Sequence, residues 1–311
     1  MARLGFSVRV YGRVELTSYT PADAHSHAPL SVQLAHLHDV LRFLHDSGIK
    51  MYRMHTGLAP EPGGALAAAL RQIETCSGQL QTLAQLARAD DLRLSFHPYS
   101  RVVLNSPNEE QAADSAAILS VLAALLDALA AGPEAVIVLH VGGVYDDPAT
   151  SAERFVRRYE LLPAPVRARI VLENDDQRYA YGDVRAIHAR CGVPLVLDLL
   201  HHQVLNPAAE PWTDTLAHAL GTWPAGVRPK VHYATPRTEL RTLPGTRRIK
   251  TPSWTEHSDY INPFAFVDWA RAASRLPEFD IMLESKARDL ALLQLRRDLA
   301  RFAPDLASLW R

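Results

Sequence analysis

The sequence predicts a single α/β domain over residues 1–311, a (β/α)8 TIM barrel with a multinuclear metal site at the carboxyl ends of its strands. First, eight short apolar runs alternate with eight helix-like segments along the chain. Second, six of these runs end in an acid or a histidine: His97, His140, Glu173, Asp198, His232 and Glu284. Six such side chains meet at one point if the strands close into a ring, so we prefer the barrel over an open doubly wound sheet.

Each strand is predicted from a short apolar run, and each helix from the longer segment that follows it. The predicted strands are 3–8, 49–54, 92–97, 135–140, 168–173, 194–198, 228–232 and 279–284. The predicted helices are 32–47, 65–89, 109–131, 149–161, 183–191, 212–221, 259–275 and 287–302. We expect Ser31 to cap the first helix and Gly48 to end it. No linker or shift in composition divides the chain, which indicates one domain.

The composition is that of an ordinary globular protein. Hydrophobic residues make up 48% of the chain, and the formal net charge of −1 gives no overall basic excess typical of nucleic-acid binding. Cys76 and Cys191 lie far apart, which indicates a reduced pair in a cytoplasmic protein. No apolar run approaches the ~18–20 residues of a membrane span, so we expect no membrane partner and a buried helix at 116–131. Because strand-like sequence begins almost at once, we also expect no targeting leader.

Several motifs, in order along the chain, carry a family resemblance. They are Met51-Tyr-Arg-Met54, Phe96-His-Pro98, Val103-Leu-Asn-Ser-Pro107, Leu139-His-Val-Gly-Gly143, Val171-Leu-Glu-Asn-Asp-Asp176, Pro194-Leu-Val-Leu-Asp-Leu-Leu-His-His202, Thr222-Trp223, Pro229-Lys-Val-His232, His257-Ser-Asp-Tyr260 and Met282-Leu-Glu-Ser-Lys286. Over nearly its whole length the chain resembles the UV damage endonuclease family, a barrel like those of endonuclease IV and xylose isomerase. The resemblance implies a divalent-metal cluster that cuts DNA 5′ to a lesion. By position, the implied ligands are His97, His140, Glu173, Asp198, His201, His232, His257 and Glu284.

The chemistry of these residue types supports a metal site independently. Phosphodiester hydrolysis needs an activated water, neutralised phosphate charge and a stabilised leaving oxyanion, and clustered metals supply all three. We expect Glu173 to bridge two cations, one completed by Asp198, His232 and Glu284, and the other by His97 and His140. His201 and His257 could hold a third. Mixed histidine and carboxylate ligands fit zinc, manganese or iron and do not choose between them.

Glu173, Glu284 and Lys230 are the expected catalytic residues. Lys230 lies two residues before His232 and so on the same face of the seventh strand. A neutral or carbamylated lysine there could add a ligand or orient the water. His55 follows the second strand and is a further candidate at the barrel mouth. The other histidines are expected at surface or helix positions: His25, His27, His36, His38, His45, His188 and His218.

The chain departs from the family where the family reads its lesion. After the His-Pro of the third strand the family usually has a Gly- or Glu-Gln-aromatic run that probes the damaged dinucleotide, and here the place is taken by Tyr99-Ser-Arg101. The first strand continues as Phe6-Ser-Val-Arg-Val10, without the usual Asn and aromatic residue. We therefore expect altered lesion recognition. The candidate substrate-binding residues at these places are Phe6, Tyr99, Ser100, Arg101 and Tyr145.

A basic loop after the seventh strand leaves two interpretations open. It contains Arg237, Arg241, Arg247, Arg248 and Lys250, and it should lie on the metal face. Its charges, Arg247 and Arg248 above all, either contact DNA phosphates or belong to an ordinary solvated loop. Two function classes therefore stand: a metal-dependent DNA repair endonuclease, or a small-molecule enzyme such as an isomerase or a multinuclear iron oxidase. A barrel can keep its metals and change its chemistry through its loops.

Overall fold

The computed structural model of the protein describes residues 2–20, 28–145 and 147–310 and contains an eight-stranded parallel barrel. Its strands are β1 (Leu4–Ser7), β2 (Met51–Met54), β3 (Arg93–Phe96), β4 (Ile137–Leu139), β5 (Ile170–Glu173), β6 (Leu195–Val196), β7 (Lys230–Tyr233) and β12 (Asp280–Leu283). Strands β1 to β6 pair in the order of the chain, and β12 pairs with both β7 and β1. The ring closes between β6 and β7, where the His232 N–H donates to the Leu197 carbonyl at 3.0 Å. The predicted barrel is confirmed.

Helices follow the strands as predicted, and three short helices that were not predicted, Ala164–Arg167, Leu199–Val204 and Pro304–Ala307, are added in the described part of the chain. The helices are α1 (Leu30–Asp46), α2 (Leu66–Thr75), α3 (Ser77–Ala89), α4 (Glu109–Ala128), α5 (Pro148–Leu161), α6 (Ala164–Arg167), α7 (Tyr181–Cys191), α8 (Leu199–Val204), α9 (Trp212–Gly221), α10 (Pro263–Ala273), α11 (Arg288–Phe302) and α12 (Pro304–Ala307). The predicted helix 65–89 is two helices that meet at Cys76. The prediction that Ser31 caps α1 was wrong, because the helix starts at Leu30 and the cap position is taken by Pro29 with an extended backbone.

The long apolar helix α4 belongs to the outer layer of the barrel. By length and composition alone it could cross a membrane. In the structure, however, its apolar residues Leu119, Leu122, Leu125 and Leu126 are fully buried in the core around the barrel. This is the buried helix predicted for 116–131.

The interior of the barrel is layered from one end to the other. At the amino ends of the strands, Arg3 and Arg93 both bind Asp280 Oδ2 at 2.9 Å. Above this ion cluster lies a small apolar layer that comprises Val136, Val138, Val171, Val196 and Trp223. Acids and histidines then fill the carboxyl end. The apolar layer therefore separates a structural ion cluster from the polar end of the barrel.

Four short strands form the long connection between β7 and α10. They are β8 (Pro236–Arg237), β9 (Arg241–Thr242), β10 (Ile249–Lys250) and β11 (Ser253–His257). Strand β9 pairs with β10, and β8 pairs with β11, both antiparallel. The second pair returns the chain to the barrel mouth with His257 at its end.

Candidate metal centre

Four buried side chains form the centre of the site. Glu173 ends β5, Asp198 follows β6, His232 lies in β7 and Glu284 follows β12. Each offers a ligand atom within 4.8 Å of the others. His232 Nδ1 lies 2.7 Å from Glu173 Oε1 and 3.1 Å from Glu284 Oε1. Parallel strands that end at one level bring these four groups together.

Two further groups share a carboxylate with this centre. His97 and His140 join Glu173, and their Nε2 atoms lie 2.9 and 3.5 Å from its Oε2. His201 and His257 join Asp198. The structure thus brings all eight residues that were implied as ligands into one continuous cluster. It has three overlapping groups, each of which could hold a metal ion.

Local structure fixes the two histidines of the third group. Asp198 caps the short helix α8, and its Oδ1 accepts the His201 backbone N–H at 2.8 Å. The helical turn that begins there brings the His201 side chain back over the strand ends. His201 Nδ1 lies 3.0 Å from the Asn174 carbonyl oxygen, and His257 Nδ1 lies 2.7 Å from the Glu284 carbonyl oxygen. Such bonds orient a ring so that its second nitrogen can face a metal.

The electrostatics of the cluster favour a cation. Burial alone would raise the pKa of Glu173. The imidazoles of His232, His140 and His97 nevertheless hold this pKa well below its usual range. Burial lowers the pKa of His97 to about 4 and so keeps that imidazole neutral. For His201 the carboxylates outweigh burial and raise its pKa to about 9. A cation bound at the third group would therefore displace a proton from His201 at neutral pH.

Unpartnered polar atoms show that these residues fit metal ions. Asp198 Oδ2, His232 Nε2 and His140 Nδ1 are buried without a hydrogen-bond partner among the described residues. Buried polar atoms are normally satisfied, so such atoms inside a ligand cluster need another partner. Nitrogen and carboxylate oxygen donors are the set that zinc, manganese and iron take.

Lys230 lies beneath the cluster with its amine also unsatisfied. The side chain is fully buried, and Nζ has no hydrogen-bond partner in the described part of the chain. Burial, together with the charges of Arg93 and Arg53, lowers the pKa of Lys230 well below its usual value. This shift favours the neutral form of the amine, and whether Lys230 is neutral or carbamylated stays a prediction.

A cavity of about 380 Å³ opens beside His97 and His140. Among its lining residues are Tyr99, Ser100 and Tyr145, and the two tyrosine side chains are half exposed. The exposed Arg101 lies next to it and packs over the Tyr99 ring. Four of the five predicted substrate-binding residues of the strand loops are thus accessible at the mouth.

The fifth of these residues, Phe6, was predicted wrongly. Its side chain is fully buried and packs on Phe43 and Tyr52, with ring centroids 6.5 and 5.3 Å away. The strand alternates its side chains, and Phe6 points out of the barrel into the layer beneath the helices. It therefore contributes to the core and cannot stack on a base.

His55 lies at the mouth but outside the three metal-ligand groups. Its ring stacks on Tyr19 with centroids 3.6 Å apart, and the Tyr99 hydroxyl lies 3.0 Å from His55 Nε2. The Gly57 N–H donates to its Nδ1 at 3.0 Å. Both ring nitrogens are therefore engaged, and burial lowers the pKa of His55 to about 4. Of the other histidines, His25 and His27 lie outside the described residues.

Three charges of the basic loop are used within the protein. Arg237 is fully buried and pairs with Glu256 at 2.9 Å, Lys250 pairs with the same carboxylate, and Arg241 pairs with Asp259. These ion pairs fold the loop. Arg247 and Arg248 remain exposed on the hairpin tip.

Two site residues were missed by sequence reasoning. Arg53 donates from Nη1 to Glu284 Oε1, and its signal was a charged residue in an otherwise apolar strand. Asn174 links β5 to the residue after β6, because its side chain bonds both the Asp198 N–H at 2.9 Å and the Asp198 carbonyl at 3.2 Å. Its position directly after Glu173 was the signal. Arg53 thus orients the Glu284 carboxylate, and Asn174 fixes the backbone that carries Asp198.

Comparison with known proteins gives consistent matches. The family model described as UV-endonuclease UvdE matches residues 12–306. A UV DNA damage endonuclease of Bacillus velezensis is 31% identical over 284 residues, which cover 88% of this chain and 83% of that protein. One of Halalkalibacterium halodurans is 29% identical over 272 residues, or 86% of this chain and 80% of that protein.

Solved structures match as well. The crystal structure of SacUVDE superposes with a TM-score of 0.81 at 26% identity, over 97% of this chain and 99% of that one. Endonuclease IV from Thermus thermophilus gives a TM-score of 0.55 at 15% identity, over 96% of this chain and 99% of that one. This second likeness shows the shared fold alone.

Proposed function

Because the chain belongs to the UV-endonuclease family, we propose that it is a metal-dependent endonuclease that nicks the DNA backbone 5′ to a lesion. The observation that carries the proposal is the cluster of eight ligand-type residues in three overlapping groups at the barrel mouth. The partner is duplex DNA, and the cofactor is two or three divalent ions of manganese, zinc or iron. Bound there, such ions would supply charge neutralisation and water activation.

In this proposal each group has a distinct role. Glu173 and Asp198 are shared between neighbouring groups, so their carboxylates would hold adjacent ions at a fixed separation. Glu284 is oriented by Arg53 and faces His232. Lys230, whose pKa is lowered by burial, would orient the attacking water or add a ligand, because its amine is buried beneath the cluster without a partner among the described residues.

Lesion recognition is proposed to differ from that of the family. The mouth offers Tyr99, Ser100 and Arg101 in place of the family's usual Gly- or Glu-Gln-aromatic run, and Phe6 is buried in the core. Base stacking is worth about 1–3 kcal/mol per base, and opening the helix costs a similar amount. With fewer groups able to fill the opened helix, discrimination between photoproducts and intact duplex should be weak.

Incision assays test both parts of this proposal. Duplexes that carry a cyclobutane dimer, a 6-4 photoproduct, an abasic site or no lesion are compared under one metal condition, and the cut positions are mapped. We expect cutting 5′ to damage with modest preference among the lesions. Strongly photoproduct-selective cutting would refute the proposed change in lesion recognition but not the proposed endonuclease activity. No cutting of any duplex by metal-loaded protein would refute the endonuclease and favour the small-molecule alternative.

A further inference from the structure

Two arginines meet beside Glu284, outside the metal-ligand groups. Arg53 Nη1 donates to Glu284 Oε1, and Arg288 Nη1 donates to Ser7 Oγ at 2.6 Å. Ser7 and Arg53 are register partners in β1 and β2, so both side chains converge on the carboxyl ends of these strands. Within the part of the chain that the structure describes, Arg288 forms no ion pair, its side chain also contacts Tyr11, and its Nε is buried without a hydrogen-bond partner.

The backbone around the two arginines is held in an unfavourable conformation at two places. Arg288 has a φ of 53° and Val8 a φ of 68°, both in the left-handed region that residues with a Cβ seldom adopt. The Val8 N–H donates to the Arg53 carbonyl at 2.8 Å. Next to Arg288, the buried Asp289 carboxylate accepts two backbone N–H groups of the loop after β1, at 2.7 and 2.8 Å. Strain that is enforced in this way clusters at functional sites.

The charges around the pair favour an anion. One carboxylate, Glu284, faces Arg53, and it is shared with the imidazoles of His232 and His257. Burial and the like charge of Arg53 lower the pKa of Arg288, and the Glu284 carboxylate opposes this shift. If Glu284 binds a metal ion, that ion neutralises the carboxylate. The two guanidiniums then need a negative partner from outside the protein.

On the basis of the proposed DNA nicking, we propose that Arg53 and Arg288 clamp one phosphate of the DNA backbone beside the metal centre. Guanidinium groups bind phosphate oxygens through two parallel hydrogen bonds, and this geometry fixes the position of the bound group. The clamp lies at the ends of β1 and β2, so the phosphate it holds is a neighbour of the one that is cut. It positions the strand and reads no base.

The test replaces Arg288 by glycine, which removes the guanidinium and relieves the left-handed backbone in one step. Binding of a short lesion-bearing duplex, whose linkage 5′ to the lesion is made non-hydrolysable, is measured with the metal-loaded protein, so that Glu284 keeps its metal and the readout is independent of catalysis. We expect R288G to unfold at the same temperature as the wild type or higher, yet to bind DNA about tenfold more weakly, with a log–log salt slope lower by about one. R288K keeps the charge but loses the planar, two-bond geometry of the guanidinium, so we expect its affinity to lie between those of R288G and the wild type.

Two matched controls lie at the amino end of the barrel, away from the proposed DNA face. Ala130 has a φ of 48°, so A130G relieves the same kind of strain there, and R275A removes an exposed charge. Both variants should bind DNA as the wild type does. If R288G is less stable than the wild type, R288N, which tolerates the left-handed region, is measured in its place.

The outcomes separate the clamp from the proposed function. Wild-type affinity and salt slope in folded R288G or R288N would overturn the clamp even if the wild-type protein nicks damaged DNA. A wild-type protein that nicks no damaged DNA would instead overturn the proposed function on which the clamp rests.

Discussion

Glu173 is the residue on which the proposed metal centre depends most. Its fully buried carboxylate lies within 3.5 Å of imidazole nitrogens of His232, His97 and His140. An acid at this depth stays ionised because these imidazoles face it. It belongs to two of the three groups, so its loss would affect two ions at once.

Replacing Glu173 by glutamine tests this role. Glutamine keeps the shape and removes the charge, so we expect the loss of at least one metal per chain and a fall in activity of roughly 10²-fold or more. Metal content is measured by mass spectrometry on dialysed protein, with E153Q, which neutralises an exposed acid on α5, as the control. Full metal occupancy and activity in E173Q would contradict the cluster.

At the scale of elements, the connection from residue 236 to 257 supports the site from one side. Its buried Arg237 holds the two ends together through Glu256 and through the carbonyls of Glu239 and Thr251, both at 2.7 Å. This arrangement returns His257 to the strand ends. The exposed arginines at the hairpin tip take no part in it and are available for phosphates.

Neutralising the hairpin tip tests whether it binds DNA. We expect R247A/R248A to bind duplex DNA more weakly, with the log–log salt slope flatter by about one unit for each phosphate that the variant no longer neutralises. Metal content should not change, because neither arginine faces a ligand in the described structure. R275A/R301A, which removes two exposed charges from the opposite end, is the matched control. DNA affinity that is indifferent to both the substitution and the salt concentration would favour a solvated loop.

Sequence reasoning succeeded where periodicity fixes geometry. The apolar runs that end in Glu173 or His232 identify both a strand and the end that carries its function, and all eight predicted strands exist. It failed where the role of a residue depends on which face of its strand the side chain lies on. Phe6 follows a glycine in a strand that is buried on both faces, so apolar character alone could not tell the inner from the outer face. Two arginines and the lysine of the basic loop form ion pairs with acids further along the chain, such as Asp259. These ion pairs were not predicted.

At the scale of the whole molecule, the two ends of the barrel have different tasks. The amino end carries Asp280 between two buried guanidiniums, a cluster whose disruption would leave charges without partners in the core. The carboxyl end leaves its acids and imidazoles partly unsatisfied. The first arrangement stabilises the fold, and the second is open to ions and substrate. Closure of the ring between β6 and β7 brings Asp198 next to His232 and so completes the central group.

The most direct test of a multinuclear metal endonuclease is a count of metal ions taken together with incision. Purified protein is analysed by mass spectrometry for manganese, zinc and iron before and after EDTA dialysis, and each sample is assayed on a duplex with one defined lesion. We predict two or three divalent ions per chain, loss of nicking with their removal, and recovery when a divalent ion is restored. Nicking that persists undiminished in protein with less than one metal ion per chain would contradict the account.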